Sequence, residues 1–261
     1  MIDADAAWVA SHALLLFTLL PLGAAAIAVA LTRAYAQAAP AMRMAGWIGA
    51  VALSAAAFLA LAAAVTRPGV VVEFDSALAG ALSMSLGDSV LWLLSWFTTL
   101  GDRMFLTVLA VLATAALLWR RQWRLAAFYA VATAGGGLLN RMLKLGFERV
   151  RPEHDHGFAT ALGWSFPSGH ASAAMAVYGG ACYLAWRLAP VSWRLPGVAL
   201  AAGLVMAIGL SRVLLQVHFA SDVAAGFAIT FVWLSLCVAA TEGLAGSARR
   251  DQGVQERKSV V

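Results

Sequence analysis

A polytopic transmembrane bundle of α-helices is the fold this sequence predicts, and three observations carry that expectation. Of 261 residues, 62% are hydrophobic and 12% charged, against about 25% charged in a soluble domain. Apolar runs of about 18 residues or more recur along the chain, the length that crosses a bilayer core as a helix. The polar residues are gathered at the ends of those runs rather than spread through them. Lipid offers no water to satisfy backbone N–H and C=O groups, so the spanning segments must close their own hydrogen bonds as helices. The net charge of +5 and pI near 9.8 form no basic stripe interleaved with aromatic residues, so nucleic acid is not an expected partner.

Seven spans are expected, near 11–32, 45–65, 103–119, 123–143, 168–187, 196–213 and 219–241. Between the second and third lies an apolar segment, Phe74 to Leu100, interrupted by Ser, Gly and Asp. Its run from Val90 to Leu100 is too short to span, which favours an interfacial or re-entrant helix. Most Lys and Arg residues, among them Arg33, Arg43, Arg120, Arg121, Arg124, Arg187 and Arg194, share one alternating set of loops with the C-terminal tail. By the positive-inside rule that set is cytoplasmic, with the N-terminus outside. Trp119, Trp123, Trp186 and Trp193 on one boundary, and Trp92, Trp96 and Trp164 on the other, fit aromatic belts. Cys182 and Cys237 both sit inside apolar runs and read as small buried hydrophobes. Asp3 and Asp5 stand where a cleavable signal would carry Lys or Arg. The polar tail, 242–261, reads as disordered and cytoplasmic.

Three polar clusters interrupt this pattern. The first is an outer loop carrying Lys144, Arg149 and Arg151 on the side where cations should be scarce. Either these residues bind an anion or they snorkel from a helix end. Lys144 and Arg151 are two helical turns apart and point the same way if the fourth helix continues to Pro152. The second cluster is Pro167-Ser168-Gly169-His170. Ser168 reads as an N-cap, which presents unpaired N–H groups and the positive dipole end to an oxyanion. Gly169 would admit close backbone approach, and His170 sits in the first turn. An ordinary cap with an interfacial His reads equally well. The third cluster, Ser211 to Asp222, places Arg212, His218 and Asp222 across a helix junction. His218 and Asp222 are four apart, so Asp222 can orient one ring nitrogen and leave the other free. Seven spans put all three clusters at one membrane face, where cations, a helix N-terminus and two imidazoles describe an oxyanion site.

On these residues the chain resembles the type 2 phosphatidic acid phosphatase (PAP2) superfamily. That family's signature is Lys, six residues, Arg-Pro; Pro-Ser-Gly-His; and Ser-Arg, five residues, His, three residues, Asp. Here it reads KLGFERVRP from Lys144, PSGH from Pro167 and SRVLLQVHFASD from Ser211. The resemblance implies a six-helix phosphatase core at about 45–241, with 1–44 an added N-terminal helix and loop. It implies a metal-independent, cofactor-free phosphatase acting through a phosphohistidine, and the charge distribution puts its site at the periplasmic or exterior face of the inner (cytoplasmic) membrane. His218 would be the nucleophile, Asp222 its orienter and His170 the general acid. Lys144, Arg151, Arg212, Ser168 and Gly169 would bind the phosphoryl group. Substrates would be lipid-anchored: undecaprenyl pyrophosphate, phosphatidate, phosphatidylglycerol phosphate or lipid A phosphate.

Two other classes are weighed against this. Vanadium-dependent haloperoxidases share the signature but are soluble and larger. A lipid or phosphate transporter would keep charges near mid-membrane, where these runs hold almost none. Among the remaining polar residues, His154, Asp155 and His156 read as a solvated loop. Asn140 braces the site or makes an interhelical bond, Gly135 to Gly137 allow close helix packing, and Glu148 and Arg149 pair with each other.

Overall fold

The computed structural model describes residues 1–153 and 156–259, with side chains through 243. His154 and Asp155 lie outside the described residues. Every regular element among the described residues is helical. In chain order these are α1 (Ile2–Ser11), α2 (Ala13–Gln37), α3 (Pro40–Val65), α4 (Val70–Ser85), α5 (Asp88–Phe97), α6 (Arg103–Trp119), α7 (Trp123–Phe147), α8 (Gly169–Leu188), α9 (Arg194–Leu214) and α10 (Ala220–Ser259). A 3-10 turn, Thr98–Gly101, joins α5 to α6.

Local chemistry sets the ends. Pro40 opens α3, where its missing N–H costs nothing. Asp102 caps α6 by accepting from the Met104 N–H at 2.8 Å and the Phe105 N–H at 3.4 Å. Ser168 caps α8 by accepting from the Ala171 N–H at 3.5 Å. Hydroxyls inside the apolar helices donate back to the carbonyl three or four residues earlier, as Thr32 does to Ala28 at 2.7 Å and Thr133 to Tyr129 at 2.8 Å. Each such bond satisfies a hydroxyl that lipid could not.

Five helical stretches are long and apolar enough to cross a membrane: Ala13–Gln37, Pro40–Val65, Asp88–Trp119, Val191–Leu214 and Ala220–Gly243. The expected spans 123–143 and 168–187 correspond to α7 and α8, which have 25 and 20 residues but fall short of the others in apolarity. The reason is composition. Helix α7 carries Arg124, Thr133, Gly135 to Gly137, Asn140, Arg141 and Lys144, and α8 carries His170, Ser172, Gly179, Gly180 and Arg187. The expected interfacial segment resolves into α4, α5 and the 3-10 turn, and α5 runs into α6 as one apolar stretch. The N-terminal residues form α1 ahead of the first apolar helix and pack on α4. Helix α10 continues to Ser259 through the stretch expected as a disordered tail.

Helices α6, α7, α8 and α10 share one core, with Leu106, Leu117, Phe128, Tyr129, Val177 and Leu184 at its centre. A second core lies under α1, α4 and α5, where Ala6, Leu78, Leu82, Leu91 and Leu94 meet Leu214, Leu215 and Val217. Within lipid, close packing and interhelical hydrogen bonds drive such association. The second core clamps the α9–α10 turn on both sides of His218, so the helices outside the signature set where that residue stands. Helix α2 packs along α9, whose Gly203 admits the Pro21 carbonyl at a distance that leaves a Cβ 3.4 Å from it.

Candidate active site

The spacing of the third cluster follows from how α9 ends. The Val217 N–H donates to the Arg212 carbonyl at 3.2 Å and the Gln216 N–H to the Val213 carbonyl at 2.9 Å. This is a Schellman closure, with Gln216 in the left-handed position at φ 51°. A non-glycine residue there costs about 1–2 kcal/mol. The fold keeps that strain where it aims the next residues, and His218 follows two positions later with its N–H 3.3 Å from the same Arg212 carbonyl. Asp222 then lies one turn into the next helix, and Nδ1 of His218 is 3.4 Å from Oδ2 of Asp222.

Asp222 is fully buried and saturated. Its Oδ2 accepts the Phe219 N–H at 3.0 Å and the Ser165 hydroxyl, and its Oδ1 accepts Arg149 Nη1 at 2.7 Å. The other face of His218 meets Arg151, whose Nη1 donates to Nε2 at 3.0 Å and to the Val217 carbonyl at 2.6 Å. A guanidinium cannot accept a hydrogen bond, so Nε2 carries its lone pair and the ring proton sits on Nδ1, toward Asp222 and Ser165. Burial lowers the His218 pKa to about 3 against the opposing pull of Asp222. The ring is therefore neutral at physiological pH, the form that can attack phosphorus. Burial likewise holds Arg151 below the usual guanidinium range, partly offset by Asp222, and it remains cationic.

The first and second clusters meet this turn through carbonyls. Lys144 donates to the Trp164 and Ser165 carbonyls at 2.6 and 3.1 Å, and Arg151 Nη2 reaches the same Trp164 carbonyl at 3.1 Å. The condition that α7 continue to Arg151 is not met. The helix stops at Phe147 because Glu148 turns left-handed at φ 46°, and Arg151 returns on a non-helical strand of chain. The two cations converge through Trp164, not along a helix face. The Ser168 N–H donates to the Asp222 carbonyl at 2.9 Å, which ties the start of α8 to α10. Asn140 braces the same corner, with Nδ2 donating to Ser172 Oγ at 3.0 Å and to the Pro167 carbonyl at 3.3 Å.

Among the site glycines, the tight helix contact is at Gly226. A Cβ on Gly169 would meet only ordinary contacts, 3.6 Å from Asn140 Oδ1. A Cβ on Gly226 would stand 2.9 Å from the Ser168 carbonyl and 3.1 Å from Ser172 Oγ. Gly226 is thus the residue that lets α10 and α8 touch at the site.

His170 and Arg212 face a cavity of about 520 Å³ that they share with Thr98, Asp102, Phe158 and Thr160. Arg212 is buried; its Nη1 donates to Thr98 Oγ1 at 3.1 Å, and its Nε has no hydrogen-bond partner among the described residues. His170 lies within electrostatic reach of Arg212, His218 and Arg151. No group of His, Cys, Asp and Glu among the described residues has the arrangement of a metal site.

Asp75, Thr98, Ser165 and Gly226 carry no sequence signal of their own, and Arg149 pairs with Asp222 and Asp75 rather than with Glu148. His156 also departs from the solvated-loop expectation. Its Nε2 contacts the Leu215 carbonyl at 3.0 Å and its Nδ1 accepts the Phe158 N–H at 3.1 Å, which pins the loop over the α9–α10 turn.

The helical fold and the three clusters point to one family of membrane phosphatases. The PAP2 superfamily profile matches residues 125–244, which contain all three clusters. Phosphatidylglycerophosphatase B of Bacillus subtilis (strain 168) is 32% identical over 179 residues, covering 66% of this chain and 85% of its own length. Lipid A 1-phosphatase of Rhizobium etli is 31% identical over 207 residues, covering 74% of this chain and 80% of its own. The crystal structure of a transmembrane PAP2-type phosphatidylglycerolphosphate phosphatase from Bacillus subtilis superposes with a TM-score of 0.68 at 30% identity, over 74% of this chain and 96% of that one. The chain belongs to the PAP2 superfamily and is a multi-pass membrane phosphatase.

Proposed function

We propose that this protein hydrolyses the phosphate of a membrane-anchored lipid through a phosphohistidine on His218. The observation that carries this reading is the Arg151 Nη1 contact at 3.0 Å to His218 Nε2. It fixes a neutral imidazole with its lone pair turned to a cation, the position a phosphoryl oxygen would share. In the first step Arg151 moves from Nε2 onto a phosphoryl oxygen, and Nε2 attacks phosphorus. The P–N bond forms, the P–O bond to the lipid breaks, and the departing alkoxide takes a proton from His170. Asp222 offsets the positive charge growing on His218. In the second step His170 accepts a proton from water, whose oxygen displaces His218 and releases inorganic phosphate. Lys144, Arg151, Arg212 and the N–H groups at the start of α8 bear the charge of the equatorial oxygens, which is most of what phosphoryl transfer needs. No metal or cofactor enters these steps.

The site sits at the end of the helices where headgroups lie, which favours a substrate held by its acyl or prenyl chains. By the distribution of Lys and Arg that end is the periplasmic or exterior face of the inner membrane. The two relatives are named for phosphatidylglycerophosphate and for the 1-phosphate of lipid A. Both are phosphate monoesters, as phosphatidate is, so a lipid phosphomonoester is the first substrate class, ahead of undecaprenyl pyrophosphate. Phosphate release by the purified protein from these four lipids, in detergent without added metal, tests the assignment. The proposal expects the monoesters to be fastest. Release only from the diphosphate would reverse the substrate order, and release from none would overturn the function.

A further inference from the structure

Arg149 lies in the spacer of the first cluster, yet its side chain is only 10% exposed and forms ion pairs on both sides. Nη1 donates to Asp222 Oδ1 and to Ser221 Oγ, each at 2.7 Å. Nη2 donates to Asp75 Oδ2 at 2.9 Å. The guanidinium plane stacks over the Phe219 ring, 4.2 Å from its centroid. Its own backbone is fixed as well, because its carbonyl accepts the Ser165 N–H at 2.7 Å.

Asp75 comes from α4, outside the residues that match the family profile. It is buried, and it accepts the Ser221 hydroxyl and the Ser221 N–H, the latter at 3.2 Å. One planar cation therefore bridges two buried carboxylates on different helices. A buried ion pair is a poor source of stability, since desolvation offsets much of the attraction, and its best-attested use is to fix one geometry. The geometry fixed here is that of Asp222. With Oδ2 taken by Phe219 and Ser165, and Oδ1 by Arg149, the carboxylate has one rotamer, and it faces His218 Nδ1.

We infer that Arg149, anchored by Asp75 of α4, is the positioning residue that sets Asp222 and, through it, the Nε2 lone pair of His218. This rests on the proposed role of Asp222 as the orienter of His218. The activating chain then runs Asp75–Arg149–Asp222–His218, and its far end lies on a helix that the signature does not include. Lysine cannot replace this residue, because a point charge on a flexible stem does not bridge two carboxylates as a planar fork does.

The test uses the full chain in detergent, with dioctanoyl phosphatidate as substrate. Arg149→Lys, Asp75→Asn and the double variant are compared after gel filtration, with the active fraction counted from a phosphoenzyme burst. Arg149→Lys is expected to lower kcat about tenfold or more, the scale of a misplaced reacting group, with KM held within about twofold because phosphate binding is untouched. Asp75→Asn, nearly isosteric, is expected to lower kcat by a smaller factor, again without a change in KM. The double variant should lose little beyond Arg149→Lys, since both substitutions break one chain.

Three results would overturn the inference. A raised KM at unchanged kcat would make Arg149 a phosphate ligand. Multiplying losses in the double variant would separate the two residues. Wild-type kcat per active site in both single variants would give the network a purely structural role. His218→Ala, run in parallel, separates the two proposals. Turnover by that variant overturns the proposed mechanism, whereas its silence beside unaffected Arg149 and Asp75 variants overturns only the positioning chain.

Discussion

The two histidines of the site are held in opposite ways. His218 stands in a turn closed on the Arg212 carbonyl, with Asp222 and Ser165 at one nitrogen and Arg151 at the other. His170 stands in the first turn of α8 beside a cavity, and among the described residues no hydrogen bond fixes its ring. A nucleophile must present one lone pair along one line, so its ring is locked. An acid that becomes a base must reach a leaving oxygen and then a water, so its ring keeps freedom to turn. The degree of hydrogen bonding thus supports the proposed division of roles, which residue type leaves equal.

Substitutions break this contrast from the larger effect to the smaller. His218→Ala removes the proposed nucleophile, and turnover should fall on the order of 10⁴-fold or more. His170→Ala should cost about 10³-fold, within the range of a lost general acid–base, and an activated aryl phosphate that needs no protonated leaving group should recover part of it. Asp222→Asn keeps the imidazole but loosens its aim, with a loss of about 10²-fold in kcat. Gly226→Ala forces α10 from the Ser168 carbonyl by a few tenths of an ångström, and a drop of about tenfold is expected. Each is read from steady-state phosphate release.

The pH dependence sharpens the same contrast. Burial lowers the His218 pKa from 6.5 to about 3 in the folded chain. Between those values the unfolded chain holds the extra proton, so the folded state loses stability as pH falls from 6.5 toward 3, and none of this loss appears above 6.5. The thermal midpoint in detergent should decline over that window, and His218→Gln should flatten the decline.

Much of this site was legible because its parts are local in sequence. Pro167 to His170 write an N-cap and its helix, and the five residues between Arg212 and His218 are what a Schellman closure needs. The lipid-facing helices α2 and α3 announced themselves by hydropathy. What stayed hidden lies in tertiary contact. Asp75 is 74 residues from Arg149 and reads as one more interfacial acid until α4 packs beside the α9–α10 turn. Ser165 and Thr98 are ordinary hydroxyls in sequence. The left-handed turn at Glu148, which ends α7 four residues before Pro152, has no glycine to mark it. Helices α7 and α8 fell short in hydropathy for the reason that makes them useful, since the polar and small residues that build the site displace apolar ones.

Rapid alkaline quench during turnover of a ³²P-labelled lipid monoester, followed by peptide mapping, addresses the central assignment most directly. An acid-labile, alkali-stable phosphoryl group on His218 in the wild type, absent from His218→Ala, is the predicted result. Label on any other residue, or phosphate release by His218→Ala at the wild-type rate, would contradict it.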